Sequence, residues 1–432
     1  MTMPNPMRMT ALQHPLGRAL AVISAVGFVA LFPYFFMYHF AISRGVIPPF
    51  MGGAFGILTV LIVLAAIIPY ALVQHRFSRP ALMVSVPFHL LVLYVLFWVG
   101  VNNLAPQNEF ILGEATAQLL TLVVSWTALF VLGVFTPESD RTFRTALLGL
   151  WGLMVIIILT TFDRHTLAVD LSRGDEEIAT YKELARSVMY VGLFLALVLK
   201  NRMYRLGLIA ATIIALFFVG ARSELLGFAG ACMLTEALTV RRSLAGQILL
   251  GLVVLAMVGL VADNFDLLST SRQSTLLDVT SDQSWHEREQ ALSYAISQIR
   301  DEPIMGVYGG HLLIGQAGFY AHNALSAWVS LGLVGFLLYI SLTIYCAWTT
   351  FLEVCRNPEP GAWRLALAVN FISVLFLVAA QGVFWSLPAL GWGLTLRARI
   401  LHPPRGVAPT GRPVARPAVR ARAPAIRRDA RP

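Results

Sequence analysis

The sequence predicts an all-α integral membrane protein with about twelve transmembrane helices, and three observations predict it. Apolar residues make up 57% of the 432 and charged residues only 13%, against about a quarter charged in soluble domains. Runs of roughly 20 apolar residues recur along the chain, each long enough to cross a hydrocarbon layer of about 30 Å. Lysines and arginines concentrate in alternate loops between those runs, as the positive-inside rule requires.

In order, the apolar runs lie near 19–41, 51–73, 80–101, 112–135, 144–162, 185–199, 203–220, 222–240, 244–262, 323–350, 364–384 and 386–398. Each must be a helix, because lipid offers no partner for backbone N–H and C=O groups. Arg8 and Arg18 precede the first run, which shows no small-residue cleavage site and so reads as a retained helix rather than a removed signal. The turns carrying Arg76 and Arg79, Arg141 and Arg144, Lys200 with Arg202 and Arg205, Arg241 and Arg242, and Arg356 and Arg364 fall on one side. The opposite loops carry Glu109 and Glu114, the run Asp175-Glu176-Glu177, and the long 263–321 loop with eight acids against three arginines. One orientation satisfies nearly every loop: both termini cytoplasmic and the long loop outside, periplasmic in a Gram-negative host. Residues 1–400 are expected to form one membrane domain including that loop, and 401–432 a disordered basic cytoplasmic tail.

The net charge of +9 does not indicate nucleic-acid binding. Ten arginines fall between Arg397 and Arg431 in a Pro/Ala/Arg segment that has no means of building a core; its expected partner is anionic membrane lipid. Cys232 and Cys346 lie in spans and Cys355 is cytoplasmic, so no outer disulfide or zinc spacing is present. Ionisable residues within the spans usually mark ion routes, and these spans hold few: Glu236 reads as an interface pair with Arg241 and Arg242, and His39 and His89 as packed residues. That scarcity disfavours an ion-coupled transporter.

Polar chemistry therefore has few places to be, all on the outer side. The turn Gly220-Ala221-Arg222-Ser223-Glu224 leaves Arg222 at a helix N-terminus, where the dipole and free N–H groups already favour an anion. In the long loop, Ser284-Trp285-His286-Glu287 matches a capping box with Ser284 as N-cap. A helix follows with an apolar stripe of Trp285, Leu292, Ile296 and Ile299, ending before Pro303 and holding Arg288 against the membrane domain. A connector with Gly306, Gly309, Gly310, Gly315 and Gly318 carries Tyr308 and His311 as secondary candidates. The loop closes on His322-Asn323. Asn323 is a good N-cap for the next helix, and His322 just outside that positive end is expected to stay neutral near pH 7, the form a general base needs.

Together these pieces resemble the O-antigen ligase and polymerase superfamily of bacterial envelope glycosyltransferases. The resemblance rests on the Gly220-Ala221-Arg222-Ser223 turn, the 284–292 helix with Arg288, and His322-Asn323 followed by Gly332 and Gly335, over about 218–336, together with the twelve-span topology. Two features depart from the common pattern: Glu224 stands where a small residue often follows, and Trp285 precedes Arg288 rather than following it. The resemblance implies a donor polysaccharide linked through diphosphate to undecaprenol at the outer leaflet of the inner membrane. It implies His322 as the base that deprotonates an attacking sugar hydroxyl, and Arg222 and Arg288 as diphosphate ligands, with Arg186 at the outer start of the sixth span as a further one. The single-step transfer is expected to invert the anomeric carbon and to need neither cofactor nor metal. No Asp-x-Asp pair appears in the outer loops, where a bridging divalent ion would want carboxylates. One dominant outer loop favours the ligase, with lipid A–core as acceptor, over the polymerase. A lipid-linked oligosaccharide flippase is the reading from a different class.

Overall fold

The computed structural model describes residues 11–49, 54–163, 168–169, 181–241, 283–314, 320–359 and 361–402. The predicted span 244–262, the start of the long loop and the tail beyond 402 lie outside the described residues. The architecture is all-α and polytopic. In chain order the helices are α1 (Pro15–Ser43), α2 (Phe55–Val73), α3 (Arg79–Leu104), α4 (Glu109–Phe135), α5 (Arg141–Thr161), α6 (Tyr181–Val198), α7 (Arg202–Val219), α8 (Arg222–Val240), α9 (Gln283–Asp301), α10 (Leu325–Arg356), α11 (Gly361–Ala379) and α12 (Pro388–Leu401). A two-residue antiparallel pair, Phe162–Asp163 with Ala168–Val169, follows α5.

Among the described residues, nine helices are long and apolar enough to cross a membrane. Two predicted spans are not among them, for different reasons. Helix α6 opens on Lys182, Glu183 and Arg186, yet is buried from Ser187 to Leu197, so it is a central helix with a polar head. Helix α12 has 14 residues, about 21 Å at 1.5 Å each, too short to cross alone. It is buried from Pro388 to Arg399 instead, and Gly133 and Gly393 let it approach α4 closely: a Cβ at Gly133 would lie 2.5 Å from the Leu390 carbonyl. Small residues at crossings are how helices pack in lipid, where burying apolar surface gains little over leaving it exposed. Asn370 of α11 secures the same layer, donating from Nδ2 to Gly391 O at 3.2 Å and to Thr395 Oγ1 at 2.9 Å. Peripheral helices keep large apolar side chains facing outward, among them Leu64, Ile68 and Phe97.

Two readings of charge are corrected. Arg397 and Arg399 belong to α12 rather than to the tail. Arg397 donates to Val134 O at 3.2 Å, and Arg399 to Pro80 O at 3.1 Å and Tyr345 Oη at 2.9 Å. Glu236 is paired across to Arg205 of α7, whose Nη2 donates to Oε2 at 3.1 Å, because α7 and α8 are antiparallel neighbours joined by a two-residue turn.

Helix α10 is broken near its start. Gly332 has φ +67° and ψ 179°, a conformation essentially reserved for glycine. The carbonyls freed by the break are all taken up: Val329 O by Val307 N at 2.8 Å, Ser330 O by Trp98 Nε1 at 3.1 Å, and Leu331 O by Tyr94 Oη at 2.7 Å. Leu333 N in turn donates to Ile304 O at 2.9 Å. Irregular backbone within a membrane protein persists where protein groups satisfy it in this way. Gly306, also at φ +67°, makes the approach possible, since a Cβ there would lie 2.6 Å from Trp328 O. Residues 325–331 thus form a separate short helix that carries the His322-Asn323 pair at its head. Gly332→Ala is expected to cost about 1–3 kcal/mol through backbone strain and more through the clash with Ile304 O, 2.8 Å from the new Cβ. A thermal melt of the purified variant checks this, and an unchanged midpoint would contradict the break.

Candidate functional site

The 283–314 segment is seated on the α3–α4 end of the bundle by polar contacts. Tyr308 N donates to Gln107 Oε1 at 2.9 Å, the Tyr308 hydroxyl meets Thr116 Oγ1 at 2.9 Å, and His311 Nε2 meets Gln118 Oε1 at 2.8 Å. Gln298 of α9 donates to Gly310 O at 2.9 Å. Tyr308 is thus placed as a strut between this segment and α4, its hydroxyl meeting Thr116. His311 is buried, with Nδ1 unpartnered, and burial pushes its pKa down to about 4.

Helix α9 differs from the sequence expectation in two respects. It starts at Gln283, so Ser284 lies in its first turn rather than at the cap. Its buried face is Ala291, Ala295 and Gln298, whereas Ile296 is 43% exposed. The small alanines let the backbone approach α10, with Ala295 packed with Ala321 and Val329 and Ile299 against them; of the predicted stripe, Ile296 faces away. Arg288, three residues before Ala291, lies on this buried side and is itself half-buried, so its predicted placement against the membrane domain holds for a different reason. Among the described residues it makes no ion pair.

His322 is held from both sides. Asn323 Oδ1 accepts from Leu325 N at 3.0 Å, the capping role predicted for it, and Ala324 N donates to Leu377 O at 2.7 Å. Ser326 Oγ donates to Asn323 O at 2.8 Å and accepts from Val383 N at 2.7 Å, tying the loop end to the α11–α12 connector. The His322 ring lies 5.0 Å from that of Tyr320, and its Nδ1 is buried without a hydrogen-bond partner. Burial first, then the charges of Arg288 and Lys182, pushes its pKa down to about 4. The shift favours the neutral ring, and Lys182 joins Arg288 as the second charge acting on it.

The head of α6 supplies what sequence reasoning missed. Glu224 is fully buried; it accepts from Arg186 Nε at 3.3 Å and from Ser223 Oγ at 2.7 Å. Arg186 also lies 3.8 Å from Glu183. Lys182 next to them is pushed to lower pKa, by burial and then by Arg186, with Arg288 contributing; Glu183 is pushed up by burial. The structure therefore brings Arg186, Arg288 and His322 into one group with Lys182, Glu183, Glu224 and Tyr320. Arg222 sits otherwise. At about 100° per residue it lies roughly 200° around α8 from Glu224, away from the buried face of Gly227, Phe228 and Ala231. The signals were present: Glu224 stood out as a departure, and Lys182, Glu183 and Arg186 interrupt the apolar start of α6.

Beside this group lies a cavity of about 290 Å³. Part of its lining is apolar, with Phe32, Phe35 and Phe55. Phe32 comes from a π-helical stretch of α1, Ala30–Tyr34, that contains Pro33; such bulges recur at functional sites. Glu183, Arg186, Tyr320 and Gln381 supply polar lining, and Phe384 and Trp385 of the α11–α12 connector line it as well.

Comparison with known proteins supports the superfamily read from the sequence. Residues 206–340 match the O-antigen ligase family model, a stretch that holds Arg222, Arg288, His311 and His322; Lys182, Glu183 and Arg186 precede it. No curated protein and no solved structure matches the chain.

Proposed function

We propose that, within the O-antigen ligase superfamily, this chain is the ligase, moving a polysaccharide from undecaprenyl diphosphate to a sugar hydroxyl of lipid A–core. The observation that carries the reading is His322, a neutral imidazole with an unpartnered buried nitrogen in the field of Arg288 and Lys182. The acceptor hydroxyl oxygen attacks the anomeric carbon as its proton passes to the imidazole. The bond from that carbon to the diphosphate oxygen breaks, and the electron pair leaves with the lipid diphosphate. Arg288 and Lys182 stabilise the charge that develops there, and the proton returns from His322 to the leaving group or to water. Attack from the opposite face inverts the anomeric carbon. Arg222, across α8 from this group, is the weaker candidate for a diphosphate contact. Arg186 contributes less attraction, because Glu224 and Glu183 already balance its charge. His311 is the reserve base, less suited because Gln118 holds its other nitrogen.

The site lies at the bundle end that holds the α3–α4, α5–α6 and α7–α8 connections, opposite the basic turns. By the positive-inside rule that end is periplasmic and both termini are cytoplasmic, in the inner membrane.

A ligase joins a finished chain once; a polymerase extends its own product. Purified protein given lipid-diphosphate-linked glycan with lipid A–core is expected to yield one product equal in size to donor plus acceptor, and nothing larger from donor alone. A ladder of lengthening lipid-linked chains from donor alone would move it to the polymerase branch with the same residue roles.

A further inference from the structure

We propose that the groove between α3 and α10, about 870 Å³ in volume, seats one anionic glycerophospholipid of the cytoplasmic leaflet, with its acyl chains against the two helices and its phosphate on Arg79. The groove occupies the half of the bundle away from His322. Its lipid is therefore distinct from the donor and acceptor considered above, and the inference does not depend on them.

Three observations carry it. First, the groove is built into the helix pair. Helices α3 and α10 run antiparallel and are tied at two levels, the same number of residues apart on each. At the outer level Tyr94 Oη donates to Leu331 O at 2.7 Å, and Gly335 admits the tyrosine ring, since a Cβ there would lie 2.7 Å from Tyr94 Cε1. At the inner level Arg399 of α12 bridges the two, donating to Pro80 O at 3.1 Å and to Tyr345 Oη at 2.9 Å. Between these ties Met83, Val86, Leu90, Val334 and Leu337 line the groove and stay exposed. Second, the groove is one leaflet deep. Its lining runs from Arg79 to Leu90 on α3 and from Val334 to Tyr345 on α10, about 16 Å at 1.5 Å per residue. That is half of a hydrocarbon layer of about 30 Å. The Tyr94 tie lies one turn beyond Leu90, so the groove ends near the mid-plane.

Third, the charge at the inner end fits an anion. Arg79 lines the groove there as an exposed side chain, at the first residue of α3 after the N-cap Ser78. The positive end of the helix dipole adds to its charge, and a guanidinium offers paired donors suited to phosphate. Arg399 stands behind Tyr345, 5.4 Å from the ring centre, and its partners are neutral oxygens: Pro80 O, Tyr345 Oη and Thr349 Oγ1. Among the described residues neither arginine has an acid partner. The positive-inside rule places this end in the cytoplasm, where the leaflet carries anionic lipid that basic side chains attract. A zwitterionic headgroup would set its own cation against these two, so an apolar slot one leaflet deep with arginines at its mouth selects a lipid of net negative charge.

Native mass spectrometry of the full chain in detergent tests this, with phosphatidylglycerol and phosphatidylcholine of identical acyl chains as probes. One phosphatidylglycerol adduct is expected to survive activation that strips phosphatidylcholine, and Arg79→Gln should lower its occupancy several-fold. Val86→Trp, which fills the groove from an exposed position, should remove the adduct. Arg356→Gln should leave it: Arg356 is exposed at the same end of the bundle, pairs with Glu353 at 3.1 Å, and lies outside the groove lining. Equal retention of the two lipids, in protein whose thermal transition is intact, would overturn the proposal. So would a loss for Arg356→Gln as large as that for Arg79→Gln, which would assign the binding to diffuse surface charge. A dimer that Val86→Trp dissociates while lipid retention stays unchanged would give the groove to a second copy of the chain instead.

Discussion

Replacing His322 by alanine is expected to lower the transfer rate by about 10²–10⁴-fold, the usual loss when a general base is removed, with donor binding and folding retained. Folding is spared because the pair's structural work belongs to Asn323, whose Oδ1 caps Leu325, and to the Ala324 and Ser326 contacts with 377–383. The acid limb of the pH profile gives an independent check. In the free protein, burial and the cations Arg288 and Lys182 hold the His322 pKa at about 4. A bound diphosphate brings negative charge against those cations, which favours the imidazolium and raises the pKa. Because kcat/KM reports free-protein groups and kcat those of the complex, the acid limb of kcat should lie at higher pH than that of kcat/KM. A His322→Ala protein with near-normal turnover would transfer the base role to His311.

Arg288→Ala is expected to reduce kcat by about 10²–10³-fold, as for loss of one donor to a developing anion, and to raise KM as well. The residue is half-buried on the packed side of α9 and its field reaches both His322 and Lys182, so its charge is worth more than that of a solvated arginine. Its removal should also shift the acid limb of kcat/KM upward, since one of the charges opposing protonation of His322 is gone. Arg222→Ala should cost less, because Arg222 lies across α8 from the cluster. Steady-state kinetics on the two variants decide the matter: a larger loss for Arg222 would put the diphosphate on the other side of that helix.

What the sequence by itself determined is whatever depends on length, composition or contacts within a few residues. Apolar runs of membrane length specify the helices, because lipid leaves the backbone no other choice. Asn323 as a cap, the end of α9 before Pro303, and the place of His322 at a loop end are equally local, and the order of Arg222, Arg288 and His322 was enough to indicate the superfamily. Tertiary structure alone decided which side of each helix faces the others. In lipid the buried and exposed sides of a helix are equally apolar, so nothing in the pattern of α6 or α12 marks them as core helices. The same blindness hid the ion pair of Arg186 with Glu224, whose two residues sit on different helices 38 positions apart. On α9, outside the lipid, the error was one of size: alanine packed where larger apolar residues were expected, because close approach to α10 needs small side chains. The cavity that gathers Glu183, Tyr320 and Trp385 comes from three distant segments, and it exists only once the α11–α12 connector folds back on the head of α6.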